Sequence, residues 1–293
     1  MRRPKIVVTP PGPKAREIIE RDHSFLSPSL TRTSPLVGLE AEGVWVRDVD
    51  GNEYLDFGSG IAVNNVGHRH PKVINAIVKQ LNKLIFLNSC DYYTIPQVEL
   101  AERLFEITPG KFKKRVFYTN SGTEAVECAI KVARSHTKRF YFIGFINSFH
   151  GRTMGSLAFT STSTTARRGF QPMMPGVVHA PYAYCYRCPL KQEYPGCDIA
   201  CIDFLKDQIL DHVAPPDEVA GILFEPIQGA GGYIVPPKEF IQKLRRVADE
   251  NGILLMDDEI QSGMGRTGKW TAIEHFDVIP DVVMLSKALG AGF

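Results

Sequence analysis

Three short motifs in this sequence carry side chains that can bind anions, transfer protons or attack a carbonyl group. The first is Asn120-Ser121-Gly122-Thr123-Glu124, which lies between an apolar segment and an amphipathic one. Backbone N–H groups at a helix N-terminus attract anions, and two hydroxyls beside a glycine favour a phosphate. The alternative is an ordinary helix cap, with Ser121 or Thr123 as the N-cap and Glu124 in the first turn.

The second motif is acidic and consists of Asp257, Asp258 and Glu259 directly after a short apolar run. Adjacent carboxylates stay ionised in a dry pocket only beside a cationic partner. Side-chain alternation along a strand sends Asp257 and Asp258 to opposite faces of a sheet. A solvated acidic turn and a metal ion are the alternatives. Because the motif holds no histidine and no second acidic cluster is near it in the sequence, no metal site is predicted.

The third motif places Lys287 at the end of an apolar run, followed by Gly290 and Gly292. Burial or a neighbouring cation lowers the pKa of a lysine amine from its ordinary value of ~10.4. The free amine can then form a Schiff base with an aldehyde. The alternative is a lysine in a surface loop.

The elements that must position these motifs follow from hydrophobic periodicity. The predicted strands cover residues 115–119, 141–146, 219–224, 253–256 and 282–285, and the predicted helices between them cover 123–135 and 240–248. This alternation is typical of an α/β fold with a mostly parallel sheet and helices on both faces. Ligands bind beyond the carboxyl ends of such strands, and each of the three motifs follows one. Upstream, a hairpin around Asp50-Gly51 predicts a small N-terminal α+β segment, and helices are predicted from Pro71 and from Pro96 after it.

Together, a phosphate site, an acid and a lysine at one edge of a sheet are the groups that pyridoxal 5'-phosphate (PLP) requires. Its phosphate needs a helix N-terminus, its pyridinium nitrogen a carboxylate and its aldehyde a lysine. Phe149 and Arg152, after the strand predicted at 141–146, add an aromatic face and a cation.

The order and composition of these motifs resemble the class III (omega-amino-acid, 4-aminobutyrate and ornithine type) aminotransferases of PLP fold type I. The resemblance implies a seven-stranded type of sheet and extends over nearly the whole chain. The stretches that carry it are Gly67-His68-Arg69-His70-Pro71, Asn120-Ser121-Gly122-Thr123-Glu124-Ala125-Val126-Glu127, Phe149-His150-Gly151-Arg152-Thr153, Glu225-Pro226-Ile227-Gln228-Gly229, Asp258-Glu259-Ile260-Gln261-Ser262-Gly263 and Ser286-Lys287-Ala288-Leu289-Gly290.

The resemblance also implies a role for each site residue. Lys287 forms the Schiff base and shuttles the proton, Asp258 pairs with the pyridinium nitrogen and Gln261 reaches the ring hydroxyl. Arg152 binds the substrate carboxylate. Glu225 supports the network beside the ring and is the second substrate-binding residue. The remaining cofactor-binding residues are Ser121, Gly122 and Thr123 at the phosphate and Phe149 stacked on the ring.

The implied function is transfer of an amino group from an omega-amino acid, such as 4-aminobutyrate or ornithine, to a 2-oxo acid such as 2-oxoglutarate. Ala230 stands where many members have a glutamate that masks a second arginine, which weakens the assignment to 4-aminobutyrate or ornithine. Amino-acid racemases and epimerases on the same scaffold are the competing enzyme class. The alternative that is not an enzyme is a non-catalytic fragment that binds a partner chain.

The predicted organisation is an N-terminal segment over residues 1–65 and a large PLP-binding domain over residues 66–293. The family continues past the lysine, so the chain is expected to be truncated, without the C-terminal small domain. Poor stability and little activity are expected if it is the entire natural chain. A homodimer or higher homo-oligomer is implied by the resemblance alone.

Composition limits the partners and the compartment. The chain has 34 Lys and Arg and 32 Asp and Glu, which gives a net charge of +2. Because this charge is nearly balanced, neither nucleic acid nor a membrane surface is a predicted partner. No apolar run approaches the ~20 residues of a membrane span, and the start of the chain does not resemble a secretory signal. A cytoplasmic location is predicted, and the low cysteine content agrees with a reducing compartment.

Four of the six cysteines, Cys185, Cys188, Cys197 and Cys201, follow a C-x2-C-x8-C-x3-C pattern in a Tyr- and Pro-rich segment. Zinc ligation, two disulfides and free thiols all fit that spacing. His150 has no ligand spacing with the other histidines and is predicted to be a structural residue of its turn.

Overall fold

The structure, a computed structural model, describes residues 2–293 and divides into two compact units, one ending at Tyr93 and the other beginning at Thr94. The sequence prediction places the boundary after residue 65, and the difference has a local cause. Gly43 and His68 pair in an antiparallel bridge, and the Nε2 atom of His68 lies 2.7 Å from the carboxylate of Asp56. These contacts attach the chain beyond residue 65 to the N-terminal sheet.

The first unit is built around an antiparallel sheet in the order β1-β2-β3. Its elements are α1 (Pro13–Phe25), β1 (Gly38–Glu42), β2 (Trp45–Asp48), β3 (Glu53–Leu55), α2 (Ser59–Ala62) and α3 (Pro71–Leu81). The turn between β2 and β3 is closed by Asp48, whose Oδ1 accepts hydrogen bonds from the backbone of Asp50 and Asn52. Gly51 in this turn has a φ of +91°, which favours glycine. The predicted hairpin is confirmed.

The second unit contains the remaining elements. They are α4 (Ile95–Ile107), α5 (Gly122–Thr137), β4 (Tyr141–Phe145), α6 (Met154–Phe159), α7 (Thr164–Arg167), β5 (Val177–Ala180), α8 (Ala200–Phe204), β6 (Val219–Phe224), α9 (Lys238–Asn251), β7 (Leu254–Asp258) and β8 (Val282–Met284). Over the described residues the second unit forms one five-stranded sheet in the order β5-β4-β6-β7-β8, with every neighbouring pair parallel. The α/β class and the parallel sheet are confirmed.

One predicted strand is wrong for the part of the chain that the structure describes. Residues 115–119 form no strand, and the parallel sheet there has five strands. Phe117 is 76% exposed, and the hydroxyl of Tyr118 donates a hydrogen bond to the backbone of Gln97 in α4. A strand needs a ladder partner as well as apolar residues, and residues 115–119 have none among residues 2–293. β5 is a strand that the sequence prediction missed.

Two apolar clusters cover the two faces of this sheet. One contains α9 and Leu255 of β7, and the other contains α5, α6 and Met256 of the same strand. Adjacent residues of β7 therefore point to opposite faces, as a strand requires. Continuing that alternation places Asp257 on the α9 face and Asp258 on the α5 face, as predicted.

No helix among those the structure describes has both the length and the apolar character of a membrane-crossing segment.

Candidate active site

Lys287 lies just beyond β8, and its amine points towards another predicted site residue. The Nζ atom of Lys287 donates a hydrogen bond of 3.1 Å to Oε1 of Gln261. Burial lowers the pKa of the Lys287 amine from its ordinary value, while the negative charges of Asp258 and Glu225 oppose that change. The amine therefore loses its proton more readily than a surface lysine and is better able to act as a nucleophile or base.

Asp258 is held by a histidine in the interior of the second unit. Its Oδ2 atom lies 2.7 Å from Nδ1 of His150, and its Oδ1 atom accepts a hydrogen bond from the backbone of Ile260. The two side chains are 3% and 0% exposed. Because an ionised carboxylate only accepts hydrogen bonds, Nδ1 of His150 carries a proton in this pair. The Nε2 atom of His150 is buried and has no partner among the described residues.

His150 is thus a residue that sequence reasoning missed, since it was predicted to serve only its own turn. Two sequence features could have identified it: it follows the carboxyl end of β4, and it is next to Phe149. Its partner Asp258 is 108 positions away, so no local pattern indicates the pair.

The start of α5 provides the candidate phosphate site. Ser121 is the N-cap, and its hydroxyl accepts a hydrogen bond of 3.3 Å from the backbone of Glu124, so the cap interpretation of this residue is confirmed. The N–H group of Glu124 is thereby satisfied, whereas those of Gly122 and Thr123 precede the hydrogen-bond ladder of the helix and are suited to an anion. A Cβ atom at Gly122 would lie 3.0 Å from the side chain of Ile260, so the packing leaves little room for a larger residue. The hydroxyl of Thr123 contacts the hydroxyls of Thr153 and Ser156.

Glu225 accepts hydrogen bonds from the backbone of two loops of the site. It is 4% exposed, and its two oxygens accept hydrogen bonds of 2.9 Å from the backbone of Phe149 and of Gly229. Burial raises the pKa of the Glu225 carboxyl to about 7, although His150 and these backbone donors act in the opposite direction. This geometry is that of a supporting residue. Direct contact between Glu225 and substrate stays a prediction.

Arg152 and Phe149 are in contact in the loop between β4 and α6. Arg152 is exposed, and its guanidinium carbon lies 5.2 Å from the ring centroid of Phe149, a cation–π contact. The planar guanidinium is accessible to a carboxylate from solvent. Its role in substrate binding stays a prediction, as does the stacking of Phe149 on a cofactor ring.

The other two carboxyls of the acidic motif do not face this site. Both oxygens of Asp257 are buried without a hydrogen-bond partner among the described residues, and burial raises its pKa well above the ordinary value. Burial on the α9 face therefore favours the neutral form of Asp257. Glu259 accepts hydrogen bonds from the Ser262 hydroxyl and from the backbone of Ile273, and burial raises its pKa to about 7.

The clustered cysteines line one small cavity of the second unit. The four thiols in this lining are those of Cys185, Cys188, Cys197 and Cys201. All are free, and burial raises the pKa of Cys201 to about 12, so that thiol is protonated and unreactive. Within residues 2–293, no three His, Cys, Asp or Glu side chains are grouped so that they could hold a metal ion.

The residues brought together fit PLP by their chemistry. Lys287 offers an amine of lowered pKa, and Gln261 beside it offers an amide. Asp258 makes one hydrogen bond through each oxygen, which leaves acceptor capacity for a pyridinium N–H. The start of α5 offers the N–H groups that suit a phosphate. The second unit therefore contains an amine, a carboxylate and helix N–H groups of the kinds that this cofactor requires.

Known proteins resemble this chain over most of its length. The family model described as aminotransferase class-III matches residues 29–293. An alanine/serine racemase of Pyrococcus horikoshii is 40% identical, and the match covers 100% of this chain and 62% of that protein. A probable 4-aminobutyrate aminotransferase of Bacillus subtilis is 40% identical over 93% of this chain and 62% of its own length.

A solved structure is similar over nearly all of this chain. The taurine:2-oxoglutarate aminotransferase of Bifidobacterium kashiwanohense, in complex with PLP and glutamate, has a TM-score of 0.87 and 31% identity. The match covers 95% of this chain and 63% of that one. The chain thus has the fold of PLP fold type I transaminases, and it spans about 62% of the length of the curated relatives it matches.

Proposed function

Because this chain belongs to the class III aminotransferase family, whose members use PLP, we propose that it is a PLP-dependent aminotransferase. It moves an amino group from an amino acid to a 2-oxo acid. The observation that carries the proposal is the grouping of a half-buried Lys287 amine with Gln261 and with the buried Asp258–His150 pair. No single segment of the sequence contains these residues.

The residues of this chain have separable tasks in that reaction. When bound, PLP supplies an electron sink for the substrate carbon that loses its proton. The Nζ atom of Lys287 would take that proton and return it, since burial favours its neutral amine. Asp258 would hold a positive charge at the ring nitrogen, and His150 beside it orients the carboxylate. Arg152 binds the substrate carboxylate through its planar guanidinium.

The proposed amino donors are omega-amino acids such as 4-aminobutyrate or ornithine, with 2-oxoglutarate as the acceptor. Two similar proteins support this class by their names, the probable 4-aminobutyrate aminotransferase and the taurine:2-oxoglutarate aminotransferase. A panel of amino donors with 2-oxoglutarate, read by glutamate formation, tests it. Glutamate formation from none of the donors contradicts the proposal.

Racemisation of an amino acid is the second candidate, and two observations favour it. The match to the alanine/serine racemase covers all of this chain at 40% identity. Ala230 is exposed and has no carboxylate with which to mask an arginine. Incubation with a single L-amino acid and no 2-oxo acid separates the two functions. Formation of the D-enantiomer assigns racemisation, and its absence together with glutamate formation in the donor panel assigns transamination.

We also propose a homodimer or higher homo-oligomer, in keeping with the family. Several large apolar side chains of the first unit are almost fully exposed, among them Phe25, Phe57 and Tyr93. Burying such side chains against a second copy is favourable by roughly 1.5–3 kcal/mol each. Light scattering of the purified protein tests this, and a monomer at all concentrations contradicts it.

A further inference from the structure

Glu127, in the second turn of α5, accepts three hydrogen bonds through one oxygen. Its Oε1 atom accepts from the backbone N–H groups of Gly155 at 2.9 Å and Ser156 at 3.0 Å, and from the hydroxyl of Thr153 in a short contact. The three donors belong to the start of α6 and the turn before it. A single carboxylate oxygen therefore attaches this turn to α5.

The same turn contacts the candidate phosphate site through hydroxyl groups. The Oγ1 atom of Thr123 lies 2.8 Å from Oγ1 of Thr153 and 2.6 Å from Oγ of Ser156. Thr123 and Glu127 are four residues apart in α5, so both side chains lie on one face of that helix. The positions of Thr123 and of the turn are thus fixed together.

Glu127 also determines which hydroxyl donates to which. Because an ionised carboxylate only accepts, the hydroxyl proton of Thr153 points to Glu127. Of the remaining contacts, the shortest is the 2.6 Å one between the hydroxyls of Ser156 and Thr123, and Ser156 can donate either there or to the backbone carbonyl of Thr153 at 3.2 Å. Thr123 can accept the bond from Ser156 and direct its own proton to an anion at the start of α5.

Two glycines make this close packing sterically feasible. A Cβ atom at Gly155 would lie 2.2 Å from Oε2 of Glu127, and one at Gly151 would lie 2.2 Å from Oγ1 of Thr123. Gly151 also has a φ of +126°, which other residues rarely adopt. The chain approaches both side chains only because neither position carries a Cβ.

We propose that Glu127 is a positioning residue that sets the affinity for the cofactor's phosphate group without touching it. It holds the turn of residues 151–153 against α5 and thereby orients the hydroxyl of Thr123. This inference rests on the proposed function and extends it to a residue that had no assigned role. The same turn carries Arg152, so its position also affects the substrate carboxylate site.

The test compares two probes, PLP and pyridoxal, which differ only in the phosphate. Their dissociation constants are measured by equilibrium dialysis for the unsubstituted protein and for Glu127→Ala. The expected result is that the preference for PLP over pyridoxal falls by about 10- to 100-fold in the variant, since the donors around Thr123 lose their acceptor. A purely Coulombic effect has the opposite sign, because removing a carboxylate near a phosphate would tighten PLP binding.

Two further variants separate geometry from charge. Glu127→Gln keeps an oxygen able to accept all three bonds and is expected to retain most of the PLP preference, within about threefold. Lys131→Ala, an exposed residue one turn further along α5, is the matched control and should leave the preference unchanged. Should Glu127→Ala fail to fold by circular dichroism, Thr153→Val removes the hydroxyl link with little change of shape and is expected to lower the preference too.

The outcomes distinguish this inference from the proposed function. Lack of PLP binding by the unsubstituted protein overturns both. Normal binding there, with an unchanged preference in Glu127→Ala and Thr153→Val, overturns the role of Glu127 alone. Equal weakening of PLP and pyridoxal also overturns it, since that indicates general loss of structure.

Discussion

The buried carboxyl of Glu259 gives a stability change that can be worked out from the structure. Glu259 is 1% exposed, and burial raises its pKa from the ordinary 4.5 to about 7. A carboxyl whose pKa is higher in the folded state binds its proton more tightly there. It therefore adds stability that is fully present below pH ~4.5 and is lost as the pH rises through ~7. From pH 5 to pH 8 this loss is about 2.5 kcal/mol.

The informative variant is Glu259→Gln, because it removes the titration and keeps both hydrogen bonds. The amide oxygen can accept from the backbone of Ile273, and the amide nitrogen can donate to the hydroxyl of Ser262. The pH dependence of the free energy of unfolding should then be smaller than in the unsubstituted protein by about 2.5 kcal/mol between pH 5 and pH 8. Some dependence remains, because burial also raises the pKa of Glu225 and of Asp257.

The assay is denaturant unfolding followed by circular dichroism at pH 5, 6.5 and 8. The matched control is Glu250→Gln, which neutralises an exposed glutamate at the end of α9 and should leave the dependence unchanged. A Glu259→Gln protein that loses as much stability between pH 5 and pH 8 as the unsubstituted protein refutes the argument. So does a steeper loss.

Three other substitutions have expected outcomes. His150→Phe leaves the buried carboxylate of Asp258 without its partner, so stability should fall by roughly 1–3 kcal/mol and turnover by ten-fold or more; unchanged turnover in a donor assay contradicts this. Gly151→Ala places a Cβ 2.2 Å from Oγ1 of Thr123 at a φ of +126°, so PLP affinity measured by dialysis should fall, and wild-type affinity contradicts the steric argument. Arg139→Met removes an Nη1 atom that lies 2.9 to 3.3 Å from four backbone carbonyl oxygens in or beside β6 and α9. The free energy of unfolding, measured with denaturant, should fall by about 2 kcal/mol. A change near zero contradicts this and means that water replaces the guanidinium.

Elements with strong periodicity could be predicted from the sequence. β6 was predicted with its observed bounds, Val219–Phe224, because every residue in it is apolar and buried. α9 was predicted at 240–248 and extends to Lys238–Asn251, since its polar ends lack the apolar stripe that marked its centre. β5 was missed because it is only four residues long and contains His179. Short strands owe their structure to their neighbours more than to their own composition.

The sequence predicted individual residues of the site but not the contacts between them. Local motifs indicated Lys287, Asp258 and Thr123, since each follows a predicted strand or begins a helix. The contact between Asp258 and His150 joins residues 108 positions apart, and the Glu225 carboxylate reaches the backbone of a residue 76 positions away. Such pairs depend on strand order, which periodicity does not determine. The roles of Glu127 and His150 became visible only in the folded chain.

We propose Lys287 as the residue to which the cofactor aldehyde attaches. Its amine has a lowered pKa and lies beside Gln261. Borohydride reduction of the PLP-treated protein, followed by peptide mass spectrometry, locates the attachment directly. We expect one pyridoxyl group, on Lys287, and none in a folded Lys287→Ala variant. A label on another lysine, or no label in intact folded protein, contradicts it.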